Sequence, residues 1–230
     1  MSASLRLATP RQAAPSRTAS QRRERCGDFA ALDRVGTVLS LGRAEVLFFE
    51  SDAAEHYFKV VSGAIRCCKL LADGRRHVSE FHLAGDFIGL DAETNYLFTA
   101  EAVTDTTVVR YARRKVDALA AQDPQIGRRM LSIVCHGLSA AQQQLVLLGR
   151  MTAEERIASF LLDLAERNGE SDCVSLPMSR TDIGDHLGLT METVSRSLSH
   201  LKSAGLIALE NHHRIRFRDR EALEELAEAA

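Results

Sequence analysis

The chain has 230 residues, of which 45% are hydrophobic and 26% charged, and its formal net charge at pH 7 is −2. That length holds one large or two small domains with real cores, and no uninterrupted apolar run reaches the ~18 residues a membrane span needs. A disordered polyelectrolyte and a membrane protein are thereby set aside. Cysteines stand at positions 26, 67, 68, 135 and 173. An odd number with no secretory leader argues against a disulfide framework, and the lack of a C-x-x-C pair argues against a metal site. A cytoplasmic chain without metal or other cofactor is expected.

Residues 1–28 are rich in Arg, Ser, Ala and Thr and read as a disordered tail. Residues 29–122 then carry short β-type runs: VLFFE, HYFKVVSG, AIRCCKLL, HVSEFHL, FIGL, TAEAV and TVVRY. Gly63, Gly74 and Gly85 punctuate them, and Ala72-Asp73-Gly74 joins two runs as a hairpin. The reading is an antiparallel β-roll of the cupin-like jelly-roll kind, although any small β-sandwich would have the same spacing. Cys67 and Cys68 are neighbours on one run and should face opposite sides.

Asp123 before Pro124 opens a long helix over residues 123–149. Ile126, Met130, Ile133, Gly137, Ala141, Leu145 and Leu148 step by three and four along one face, and Leu131, Val134, Leu138 and Leu147 form a second stripe. A helix apolar over more than one face has to bury against something extra. Its own copy is the economical partner, making this a dimerisation helix; packing within one chain is the alternative. Residues 150–230 form a further domain. Thr152 and Glu155 make a capping box for a helix whose core face is Ile157, Phe160, Leu161 and Leu164.

The richest segment is 176–207, LPMSRTDIGDHLGLTMETVSRSLSHLKSAGLI. Ser179 with Asp182 caps one short helix, Gly188 breaks it, Thr190 caps the next and Gly205 ends it. Val194, Leu198 and Leu201 fall on the inner face of the second helix. Glu192, Ser195, Arg196 and Ser199 fall on the outer one. That outer stripe suits base reading: Arg binds guanine O6 and N7, Glu accepts from the cytosine amine, and Ser serves either way. Ser179, Arg180 and Thr190 flank it. NHHRIRFR, residues 211–218, alternates basic and apolar residues and reads as a wing whose Arg214 and Arg216 meet phosphates. A solvated helical hairpin is the bland alternative. No Ser/His/Asp arrangement or phosphate loop points to an enzyme.

The order of roll, long helix, capped helix and winged helix-turn-helix gives an α+β chain that resembles the CRP/FNR superfamily of dimeric transcription regulators. The motifs that carry this are FHLAGDFIGLDA (81–92), TAEERIASFLLDL (152–164) and MSRTDIGDHLGLTMETVSRSL (178–198). Ser195 between Glu192 and Arg196 places the resemblance in the FNR and FixK branch. The resemblance implies a homodimer, in which the positions of Glu192, Ser195 and Arg196 read a TTGA-type half-site of an inverted repeat in double-stranded DNA. It also implies RNA polymerase as a partner, with Asp73 to Arg76 a candidate contact, and a response to low oxygen.

Two departures narrow it. FNR proper needs four thiolates for an iron–sulfur cluster, whereas the N-terminus here offers only Cys26, and Val109 stands where the later ligand would be. The cyclic-AMP binders place a cation at the phosphate, and no Lys or Arg occurs from His77 to Val109. FixK-type proteins, which lack both sensors, match best. An effector-dependent sensor remains the alternative, with a cyclic nucleotide, or a haem held by His56, His77 or His82, in the roll. Cys173, in the polar stretch NGESDCVS, is expected to be more exposed than Cys135 and is the candidate redox residue.

Overall fold

Alternating apolar residues build the N-terminal half from two antiparallel sheets. The computed structural model describes residues 32, 35–92, 94–211 and 213–228; Cys26 and the expected tail lie outside them. The strands are β1 (Thr37–Leu41), β2 (Val46–Phe48), β3 (His56–Ser62), β4 (Ala64–Leu70), β5 (Arg76–Leu83), β6 (Phe87–Ile88), β7 (Thr99–Ala102) and β8 (Thr106–Ala112). They form sheets of order β1-β8-β3-β6 and β2-β7-β4-β5. β1 was not legible as a strand: two residues of its five are half-buried or buried and the rest are exposed, as at a sheet edge.

The roll's interior is filled by side chains of both sheets, among them Phe58, Val60, Ile65 and Ile88. The rings of Phe48 and Tyr96 stack with centroids 3.7 Å apart. The Tyr96 hydroxyl donates to the His56 carbonyl at 2.7 Å, satisfying the polar end of a buried ring. Cys67 belongs to this interior, whereas Cys68 belongs to a second cluster on the outside of the β4–β5 sheet. That opposite placement is what the two-residue strand period requires, even though the ladder to β5 shifts register between them.

Two helices follow the roll, α1 (Arg113–Gln122) and α2 (Pro124–Arg150). Asp123 caps α2 by accepting from the Gln125 amide at 2.9 Å, with proline in the first turn. The 27 residues of α2 make a rod of about 40 Å at ~1.5 Å per residue. By length and composition α2 would also pass for a membrane span, although it contains no unbroken apolar run of that length. Its ends, however, are packed on protein: Ile126 and Leu147 are buried.

The apolar stripe assigned to the dimer seam is turned partly into the chain's own core, which corrects the sequence reading. Ile126 is buried, Met130 and Ile133 pack against Leu32, Tyr111 and Val116, and Leu148 packs against the C-terminal core. Of that stripe Gly137, Ala141 and Leu145 stay exposed. The outward face instead carries Leu131, Val134, Leu138 and Leu145, 43–72% exposed. With Ala141 they alternate by three and four, the heptad spacing of a helix seam. α2 is apolar over more than one stripe, and the roll and α1 take the one that periodicity ranked first.

The C-terminal domain runs through α3 (Ala153–Asn168), β9 (Cys173–Ser175), α4 (Arg180–Leu187), α5 (Met191–Ser203), β10 (Ile207–Asn211), β11 (Arg214–Phe217) and α6 (Arg220–Glu228). Thr152 and Glu155 form the capping box of α3, and Gly169 ends it in the left-handed region. Arg156 fixes the joint with α2. Its guanidinium donates to the carbonyls of Leu148, Met151 and Leu187 at 2.9, 2.9 and 3.0 Å, so one side chain satisfies carbonyls at the end of α2 and of α4. One apolar cluster joins the two halves of the molecule: Val78, Phe81 and Leu83 of β5 pack with Ile157, Phe160 and Leu187.

Candidate nucleic-acid interface

α4 and α5 are set at a tight turn by capping. The Ser179 hydroxyl accepts from the Asp182 amide at 3.1 Å, and the Asp182 carboxylate accepts from the Ser179 amide at 3.1 Å and its hydroxyl at 2.7 Å. Gly188 leaves α4 at φ 65°. Gly184 is required for a different reason, which the sequence reading missed: a Cβ there would sit 2.6 Å from the Leu189 carbonyl oxygen, inside the turn. Thr190 then caps α5 by accepting from the Thr193 amide at 3.1 Å. Val194, Leu198 and Leu201 anchor the inner face.

Outward from that anchor stand Glu192, Arg196 and Ser199, all exposed, with Ser195 half-buried among them. Among the described residues Arg196 has neither a hydrogen-bond nor an ion-pair partner, so its guanidinium is available to a ligand. The Glu192 carboxyl is held below the usual glutamate value by its own backbone amide and by the Thr190 hydroxyl, with the Arg196 charge adding to the effect. It is therefore an anionic acceptor at neutral pH. Ser199 Oγ donates to the Ser195 carbonyl at 2.9 Å. Ser179 Oγ is taken up by the cap, and Arg180 is half-buried against Ser195. Ser179 and Arg180 therefore support the reading face more than they extend it.

The wing is a three-stranded sheet of order β10-β11-β9. Ile215 and Phe217 point inward and Arg214 and Arg216 outward. Glu210 partly neutralises both: Arg216 reaches it at 2.5 Å and Arg214 at 3.4 Å. Arg214 also donates to Cys173 Sγ at 3.2 Å. Cys173 is half-buried and Cys135 exposed, the reverse of the sequence expectation. The strand β9 places Cys173 opposite Arg216 in the wing sheet, whereas Cys135 lies on the outward side of α2.

Between His77 and Val109 the sequence has no Lys or Arg to meet a phosphate. The structure brings one from further on: Arg113 donates to the carbonyls of Gly89 and Ala92, both at 2.6 Å, and covers the Tyr57 ring at 4.6 Å. Its hydrogen bonds go to the loop itself. Of the three histidines considered for haem, His82 is buried and lies 3.7 Å from Glu80, and His56 abuts the aromatic stack. A cleft of about 1040 Å³ opens between the roll and the wing, lined by Arg43, Asp105, His213 and Arg214 among others.

Comparison with known proteins agrees with this geometry. A Crp-like helix-turn-helix domain model matches residues 155–226 and a cyclic nucleotide-binding domain model matches residues 38–123. The nitrogen fixation regulation protein FixK of Azorhizobium caulinodans is 44% identical over 84% of this chain and 79% of its own. FixK of Rhizobium meliloti is 43% identical over 78% and 82%. The solved structure of FixK2 from Bradyrhizobium japonicum superposes with a TM-score of 0.81 at 41% identity, covering 85% of this chain and 99% of that one. The chain is a DNA-binding transcription regulator and belongs to the FixK-type proteins of the CRP/FNR superfamily.

Proposed function

We propose that this regulator acts as a homodimer on TTGA-type inverted repeats, activates transcription through RNA polymerase, and does so in the cytoplasm in response to low oxygen. The observation that carries the DNA reading is the pair Glu192 and Arg196. They stand one helical turn apart on the exposed face of α5, one anionic and the other without a partner among the described residues. A bidentate Arg on guanine and a carboxylate on the paired cytosine's amine would address one G·C pair. The exposed heptad seam on α2 supports two-fold pairing, and a two-fold protein needs half-sites about one helical turn, 10–10.5 bp, apart. The activator role follows from relatives such as the transcriptional activatory protein AadR of Rhodopseudomonas palustris, 38% identical over 80% of this chain.

The filled interior of the roll supports DNA binding without an effector, and relatives named as regulators and activators support a protein that is a regulator and not an enzyme. The rings of Phe48 and Tyr96 stack in that interior, and Arg113 donates to the loop carbonyls of Gly89 and Ala92. The deciding experiment is a binding titration of purified, additive-free protein in air against an inverted repeat and a scrambled duplex. Tight, selective binding is expected. Binding that appears only on adding a cyclic nucleotide or haem would replace this reading with the sensor one.

A further inference from the structure

The roll meets α4 through a chain of alternating charges that the DNA contacts do not explain. Glu101 on β7 pairs with Arg66 on β4 at 2.6 Å, and Arg66 pairs with Asp182 at 3.0 Å. Asp182 also pairs with Arg76 on β5 at 2.6 Å, and Arg76 pairs with Asp185 at 2.8 Å. The side chains are 5–28% exposed, with Asp182 the least. Burial works against the Arg76 cation, but its hydrogen bond to Asp185 and the charges of both aspartates hold its pKa above the usual arginine value. Arg167 of α3 adds a second strap, donating to the Phe81 carbonyl and to Asp86 at 2.8 Å. Isolated surface pairs are worth little, but a half-buried network with several partners fixes geometry, and removing one member strands another charge.

Asp182 makes this more than packing. The same carboxylate that takes Arg66 and Arg76 on Oδ1 caps α4 through Ser179 on Oδ2. Arg180, the next residue after the cap, reaches Ser195 on the reading helix. The reading face and the wing arginines stay exposed while the clamp is closed, so the docked arrangement does not block them.

We propose that Arg66 and Arg76 of the roll are positioning residues for DNA recognition: they hold the helix-turn-helix domain at a fixed angle to the roll, in register for two half-sites. This rests on the dimeric DNA reading above. Rigid placement lets both domains of a dimer engage at once, whereas a loosened domain loses effective concentration for the second half-site.

The test compares wild type, Arg76→Glu, the milder Arg76→Gln, and the swap Arg76→Glu with Asp185→Arg. Each binds repeats of native spacing, repeats lengthened or shortened by one base pair, and a single half-site. Arg76→Glu should lose on the order of tenfold on the native repeat, bind the single half-site as wild type does, and no longer distinguish the three spacings. Arg76→Gln should fall between, and the swap, which re-forms a pair with position 185 but sets a carboxylate at position 76 against Asp182, should restore spacing preference in part. A variant that merely folds badly would weaken half-site binding too, which a positioning role leaves unmoved. Small-angle scattering of the DNA-free proteins should show a broader particle for Arg76→Glu and recovery in the swap. Unchanged scattering and spacing preference in Arg76→Glu would overturn the clamp, as would tighter binding, which would make the contact inhibitory. If wild type itself ignored spacing, the dimeric DNA reading would fall, and scattering would still decide the clamp.

Discussion

Arg180 Nη1 donates to Ser195 Oγ at 3.1 Å, tying the first helix of the helix-turn-helix to the second at its reading face. On the proposed reading Ser195 would meet DNA with one side of its hydroxyl already committed. Arg196, one residue on and without a partner among the described residues, would carry the discrimination on the same reading. Arg196→Ala should cost about 1–3 kcal/mol per half-site and relax preference at one base pair. A site-selection experiment checks this; an unaltered preference in Arg196→Ala would show that α5 is not the reading helix.

Glu210 lies between Arg214 and Arg216 and draws both guanidinium groups toward itself. The wing therefore offers phosphates less positive charge than its sequence suggests. Glu210→Gln should strengthen binding to all duplexes alike and steepen the slope of log affinity against log salt by up to about one phosphate contact. Equal slopes for the two proteins would mean that these arginines do not meet the backbone.

Leu138 sits at the middle of the exposed seam of α2 and is 60% exposed. Leu138→Glu should place two carboxylates against each other across the two-fold axis and shift the protein to monomer in sedimentation at micromolar concentration. Ile133→Glu should act differently. That residue packs against the chain's own Leu32, Tyr111 and Val116 cluster, so its loss should lower the melting temperature. A Leu138→Glu protein that still sediments as a dimer would put the contact elsewhere.

Much of this was legible in the sequence because it is local. The capping boxes at Thr152 and Ser179, the break at Gly188, and the alternation in β11 are set by neighbours three residues apart or fewer, and they stand as read. What was not legible depends on distant partners. Periodicity found two apolar stripes on α2 but could not show which one α1 and the roll would cover. Arg113 was passed over because its carbonyl partners lie more than twenty residues earlier in the chain. Asp182 read as a cap and nothing else, since its arginines lie over a hundred residues away.

His186 on α4 is half-buried between the domains, its ring 5.3 Å from Phe81 and 5.7 Å from Phe160, with Nδ1 3.0 Å from the Val78 carbonyl. Burial lowers its pKa below 6.5, outweighing the Val78 hydrogen bond and the Glu80 charge that favour the cation. Below pH 6.5 the unfolded chain takes up a proton that the folded chain resists. The stability contribution is thus complete above pH 6.5 and is lost as pH falls through the folded pKa. His186→Asn keeps a donor for Val78 without the titration. Its melting temperature should fall less than wild type's between pH 7 and 5; parallel curves would assign the acid sensitivity to other groups.

Cys173 differs from Cys67 and Cys135 by its neighbour, and from Cys68, which is buried, by its partial exposure. Cys67 lies in the roll's interior, where burial pushes its thiol well above the usual range, and Cys135 is exposed on α2. Cys173 Sγ is 3.2 Å from Arg214 Nη2 in the wing sheet. A sulfinate formed there would add a negative charge beside a cation meant for phosphate, pairing with Arg214 and repelling the DNA backbone. Peroxide should therefore weaken DNA binding in wild type and in Cys135→Ser, while Cys173→Ser resists it. The loss should be non-specific, equal for preferred and scrambled duplexes, if the wing meets phosphates as proposed. Equal sensitivity of wild type and Cys173→Ser would remove the wing from the effect, and protection by Cys67→Ser would move the redox site into the roll.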